Sequence, residues 1–105
     1  MATEKKITLK ETVISQLESE YFYYAEVVSL DFAEIFRLEF FDKVQSILPL
    51  YKRYAICKYK RPINKYYRQM IWREYLIIYK ITEEYIEVLC LFHTKQHPRK
   101  IAKMI

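Results

Sequence analysis

An α+β fold in the order β-α-α-β-β-β, an N-terminal strand and helical hairpin packed on a small, mostly antiparallel sheet, is predicted by three features of this sequence. Apolar residues recur every three or four positions between 13 and 48, they crowd at strand-like density between 75 and 92, and short turn signals separate the blocks. The 105 residues suffice for a single domain, 1–105, with one core. At 52% hydrophobic and 30% charged residues, the chain is too apolar to be disordered and too evenly charged to be a membrane protein.

The first strand is expected over 6–10. In the helix that follows, Val13, Leu17, Tyr21, Tyr24 and Val28 form an amphipathic stripe, with Glu18, Glu20 and Glu26 between them. Ser29-Leu30-Asp31 interrupts this pattern, and Asp31 followed by Glu34 reads as a capping box that starts the second helix near Phe32. Phe32, Ile35, Phe36, Phe40, Val44, Ile47 and Leu48 then line one broad face, and Pro49 ends the helix because it cannot donate the next helical hydrogen bond. So short a link makes the two helices an antiparallel hairpin.

The period then changes. Tyr75, Ile77, Tyr79 and Ile81 alternate with Leu76, Ile78 and Lys80 in a strand, and Thr82-Glu83-Glu84 supplies a turn. The next strand, 85–92, sets Ile86, Val88, Cys90 and Phe92 on one face and Leu89 and Leu91 on the other, so it is buried on both faces and central. The segment 65–72 is a further strand ahead of these two.

The sequence excludes much chemistry. Glycine is absent, so P-loops and dinucleotide cradles, which need it where backbone approaches phosphate, are ruled out; no serine sits in a nucleophile elbow for the same reason. Cys57 and Cys90 lie far apart without a CxxC, which matches neither a disulfide framework nor a zinc site. His93 and His97 have metal-binding spacing only on a helix, which Pro98 disfavours. No metal and no cofactor are expected. No apolar run approaches the ~20 residues that span a bilayer, and the charged start, 1–6, precedes no signal core, so the expected address is the cytoplasm, away from membranes.

Charge is split along the chain. Residues 1–48 hold five basic and nine acidic side chains, a net −4, and the remainder holds thirteen and four, a net +9. Within that basic half, YKRYAICKYKRPINKYYR (51–68) carries seven cations, five tyrosines and no acid. Lys52, Arg53, Lys58, Lys60, Arg61 and Lys65 are therefore the candidate target- or partner-binding residues. Cations release counterions from phosphates and tyrosine faces stack on unpaired bases, which suits RNA or single-stranded DNA; docking of an acidic partner protein, or a solvated basic loop, are the other readings. Trp72 is expected to pack a ring face on the sheet, and the helical aromatic stripe to be core.

The tail after the last strand adds His93, which can act as a general acid or base near neutral pH, and Lys95, which can stabilise a phosphorane; a partly buried imidazole bonded to backbone is the plainer role for His93. Arg68, Tyr79, His93, Lys95 and Pro98, in this order among the strands, resemble the C-terminal half of the RelE/ParE superfamily, the toxins of bacterial type II toxin-antitoxin modules, also called plasmid stabilisation systems. The upstream strand and long hairpin resemble the family's order as well.

That resemblance implies a cognate antitoxin, whose acidic, partly disordered segment would wrap the hairpin and sheet. In the ribosome-dependent, mRNA-cleaving RelE branch it implies a catalytic set of Arg68, Tyr79, His93 and Lys95. Members of that branch carry an arginine three residues before the tyrosine, where this chain has Leu76, so the guanidinium that steadies the transferring phosphate is missing. The long hairpin resembles the ParE branch, whose members inhibit DNA gyrase without a nuclease site. An inactive relative serving only as a binding module is the third alternative.

Overall fold

The computed structural model describes residues 5–96, 99, 100, 103 and 105; the expectations for His97, Pro98 and the first four residues lie outside these. Strand β1 (Lys6–Leu9) leads into helices α1 (Glu11–Val27) and α2 (Leu30–Gln45), a 3₁₀ turn at Leu48–Leu50, and strands β2 (Ala55–Ile56), β3 (Tyr67–Trp72), β4 (Tyr75–Ile81) and β5 (Tyr85–His93). The sheet order is β1-β5-β4-β3-β2, with β1 parallel to β5 and every other pairing antiparallel. The expected α+β order is thus present, with one short edge strand, β2, inside what reads from sequence as a basic loop.

The helical hairpin covers one face of the sheet. Val13 and Leu17 of α1 and Phe36, Phe40 and Val44 of α2 pack on Trp72, Tyr75, Ile77, Tyr79, Ile86 and Val88. A smaller apolar cluster on the other face joins Cys57, Leu76, Ile78, Leu89, Cys90 and Phe92, with Tyr59, Tyr67 and Ile105 against it. Both cysteines are buried there and form no disulfide with each other, and burial pushes the Cys90 thiol up to about 11.

Four local expectations are corrected. Ser29, not Asp31, caps α2: its hydroxyl accepts the Phe32 N–H at 3.0 Å, so the helix starts at Leu30. Ile35 points to solvent at 57% exposure, leaving the buried stripe to Ala33, Phe36, Phe40 and Val44, the three- and four-residue spacing of a narrower face. Helix α2 ends at Gln45, with the Ser46 N–H donating to Asp42 O, and Pro49 sits in the 3₁₀ turn beyond it. In β5 the predicted face of Ile86, Val88, Cys90 and Phe92 is divided, because Ile78 pairs with Cys90 while Tyr79 pairs with Val88. Leu89 is the extra residue of a β-bulge, which switches the alternation: Ile86, Val88 and Leu91 face the helices, and Cys90 and Phe92 the other side.

β1 stops at Leu9 opposite Val88, so among the described residues no strand lies beside the outer edge of β5 beyond the bulge. Gln16 of α1 covers that edge by accepting the Leu91 N–H at 2.8 Å. A two-residue turn, Arg73-Glu74, joins β3 to β4 with Arg73 at φ 54°, a region glycine favours. The glycine-free chain holds it through the side chain instead, as described next.

Candidate functional site

β3 and β4 run side by side, and their register places the sequence-selected residues. Arg68 pairs with Tyr79 at one end, while Trp72 pairs with Tyr75, and Tyr75 with His93, at the other. Tyr75 and Tyr79 are four residues apart on β4, about 13 Å at the strand rise. The fold therefore brings Arg68 to Tyr79 and His93 to Lys95, and holds the two pairs at opposite ends of the sheet.

At the first end, the Arg68 guanidinium staples the basic segment: Nε donates to Lys65 O at 2.7 Å, and Nη1 donates to Lys52 O and Tyr54 O, each at 2.9 Å. Both ends of the 52–65 segment are thus tied to one fork of donors. The Tyr79 phenol is buried and donates to Tyr51 O at 2.7 Å, and burial raises its pKa above the usual tyrosine value, so it keeps its proton at neutral pH.

Lys52, Arg53, Lys58, Arg61 and Lys65 are exposed and Lys60 is half-buried. The tyrosines between them are engaged within the chain: Lys58 lies over Tyr59, Lys65 over Tyr66 and Lys60 over Tyr67, at 5.3, 5.4 and 4.9 Å from the ring centroids. Tyr54 meets Tyr79 edge to face.

At the second end, the Lys95 N–H donates to His93 Nδ1 at 3.1 Å, and His93 Nε2 lies 3.2 Å from Glu74 Oε2. With Nδ1 accepting, the neutral ring carries its proton on Nε2. The ring meets Tyr75 edge-on, and the Tyr75 hydroxyl donates to Glu20 and shares a 2.9 Å bond with Tyr24. Desolvation, then the bond to Glu20, raises the Tyr75 pKa. Ser19, Glu20, Glu74, His93, Lys95 and Gln96 line a polar cleft of about 570 Å³ here.

Leu76, at the arginine position of the RNA-cleaving branch, is buried in the smaller apolar cluster. Beside it a narrow recess of about 160 Å³ is bordered by Lys58, Gln69, Ile71 and Phe92. Among the described residues no three His, Cys, Asp or Glu side chains group as metal ligands, and no helix is long and apolar enough to cross a membrane.

Sequence reasoning missed two features. One is the junction of turn and hairpin, where Arg73 forks onto Glu39 at 2.8 and 2.7 Å while the Trp72 indole N–H donates to the same carboxylate at 2.7 Å. Trp72 itself stacks on Tyr75. Nothing in the spacing from 39 to 73 signals that triad.

The other is the outer face of the hairpin. Ile14, Phe22, Leu38 and Phe41 are exposed there, Phe22 at 67% and Leu38 at 62%. Ile14, Phe22 and Phe41, with Tyr21, line a groove of about 440 Å³ between the helices. These four residues fall outside both apolar stripes read from the sequence, and their type alone does not tell an exposed face from core.

No curated protein sequence matches the chain. A family model described as "ParE toxin of type II toxin-antitoxin system, parDE" matches residues 7–98. A solved structure titled "Chromosomal ParDE TA system from P. aeruginosa" superposes with a TM-score of 0.71 at 10% identity, covering 86% of this chain and 96% of that one. At that identity the likeness is one of fold.

Proposed function

Because the chain belongs to the ParE toxin family of type II toxin-antitoxin systems, we propose that it arrests bacterial growth from the cytoplasm by binding a target, DNA gyrase, and that a cognate antitoxin neutralises it by covering the hairpin and sheet. The observation that carries this reading is the family match over 7–98. Two further observations favour binding over RNA cleavage. The groups a nuclease would converge on one phosphate, Arg68 and Tyr79 with His93 and Lys95, stand about 13 Å apart along the sheet. Three of the four are also engaged: Arg68 with three carbonyls, Tyr79 with Tyr51 O, and the His93 ring with Glu74 and the Lys95 backbone N–H.

The antitoxin has two surfaces to cover. The outer face of the hairpin exposes Ile14, Phe22, Leu38 and Phe41, an apolar surface that a partner can bury, and the cationic 52–65 segment complements an acidic polypeptide that orders on binding. In this reading Lys52, Arg53, Lys58, Lys60, Arg61 and Lys65 bind the target or the partner.

Inducing the protein in bacteria without a neighbouring antitoxin gene tests this. Growth arrest with altered plasmid supercoiling and intact transcripts is the expected result. Arrest with cleaved transcripts, abolished by Tyr79→Phe or His93→Gln, would establish the ribosome-dependent mRNA endoribonuclease instead, and unimpaired growth would leave an inactive binding module.

A further inference from the structure

At the end of the sheet where β4 leaves for the turn at 82–84, a groove of about 590 Å³ collects lysines from three separate parts of the chain. Lys5 precedes β1, Lys52 follows the 3₁₀ turn, and Lys80 lies near the end of β4. Two tyrosine rings gather the ammonium groups: Lys5 and Lys52 lie 5.5 and 5.9 Å from the centroid of Tyr51, and Lys60 and Lys80 lie 4.9 and 5.6 Å from that of Tyr67.

Lys5 is held in place by Thr82 O and Glu83 O, at 2.6 and 2.7 Å, which leaves its third N–H for another acceptor. Among the described residues, ion pairs form at Arg37, Arg73 and His93 and at none of these four lysines. Glu83 is the sole carboxylate lining the groove among the described residues. Three of these lysines, Lys5, Lys52 and Lys80, line the groove itself, and an anion there relieves the repulsion among their like charges.

We propose that this groove seats an acidic peptide segment, whose carboxylates pair with the Lys5, Lys52 and Lys80 ammonium groups. The covered rings decide between peptide and nucleic acid. Single-stranded nucleic acid needs free aromatic faces on which bases stack, whereas Tyr51 and Tyr67 each hold two lysines and Tyr66, the third ring lining the groove, holds Lys65. Carboxylates on an extended chain need only the ammonium groups. Assigning the segment to the antitoxin rests on the function proposed above; the groove's preference for carboxylates does not.

The test is a titration of the full chain with a short fluorescein-labelled oligoglutamate at low salt, followed by anisotropy. Lys52→Gln/Lys80→Gln should weaken binding by about tenfold, while Lys43→Gln/Lys103→Gln, which removes the same charge elsewhere, should change it by less than about twofold. Glu83→Gln should tighten it by about threefold, and Lys80→Arg, which keeps the charge, should bind as the unsubstituted chain does. Equal losses in the two double variants would overturn the proposal by showing a diffuse charge effect. An oligothymidylate that binds more tightly than oligoglutamate, and through Lys52 and Lys80, would overturn it in favour of nucleic acid. The titration requires neither toxicity nor an antitoxin, so a protein that leaves growth unimpaired yet passes it loses the toxin reading and keeps this site.

Discussion

Glu39 shows how one carboxylate can serve both a turn and a core. It accepts the Arg73 fork and the Trp72 indole N–H, and these bonds, the Arg73 one first, hold its pKa below the ordinary value of 4.5. A folded pKa lowered in this way contributes stability that is fully present above pH 4.5 and is lost as pH falls through the folded value. Glu39→Gln should therefore flatten the acid side of a melting-temperature profile below pH 4.5 as well as lower the temperature at neutral pH. An unchanged acid limb would mean that other groups govern acid unfolding.

Arg68 works at the same scale. Arg68→Lys loses the fork that reaches three carbonyls, at a cost of about 1–2 kcal/mol, and should open the 52–65 segment to trypsin while the rest of the chain resists. Resistance equal to that of the unsubstituted chain would remove the staple as the organising contact.

At the scale of elements, the bulge at Leu89 and the cap at Ser29 carry the differences from expectation. Strict alternation along 85–92 puts Cys90 with Val88, but one additional residue re-aims everything after it, and Gln16 then takes up the backbone donor at Leu91. Gln16→Ala leaves that N–H without its acceptor and should cost about 1–2 kcal/mol, with amide exchange at Leu91 rising more than at Ile77 on β4. Protection at Leu91 that survives the substitution would count against this role. Ser29→Ala should cost about 1 kcal/mol, whereas Asp31→Asn should cost little, a contrast that urea unfolding reads directly. Both corrections concern a residue whose neighbours in sequence offered a second, equally regular pattern.

For the whole molecule, charge and apolar surface are separated. Residues 1–48 carry a net −4 and include the exposed hairpin face, while the remainder carries +9 and supplies all of the lysine groove but Lys5. A partner that covers both must present an apolar helix or strand on one side and carboxylates on the other. Phe22→Ser/Leu38→Ser should leave the melting temperature within about 3 °C, because neither side chain is buried, yet should prevent rescue by a co-expressed antitoxin. Full rescue of that variant would move the antitoxin off the hairpin.

The sequence by itself determined the element order, the helical hairpin, the two long strands and the absence of glycine-dependent chemistry. Each follows from periodicity or composition, which are local and additive along the chain. It also marked the tyrosine-lysine segment and the ordered set Arg68, Tyr79, His93 and Lys95. Tertiary structure alone decided that this set divides between two ends of the sheet, because register depends on which residues face each other across strands and not on their order. It alone gathered Lys5, Lys52 and Lys80, 75 positions apart at their extremes, into one groove, since neither Lys5 nor Lys80 differs in sequence from any solvated lysine. Such convergence is a property of the assembled sheet, where a parallel β1 beside β5 carries the beginning of the chain to the end of β4.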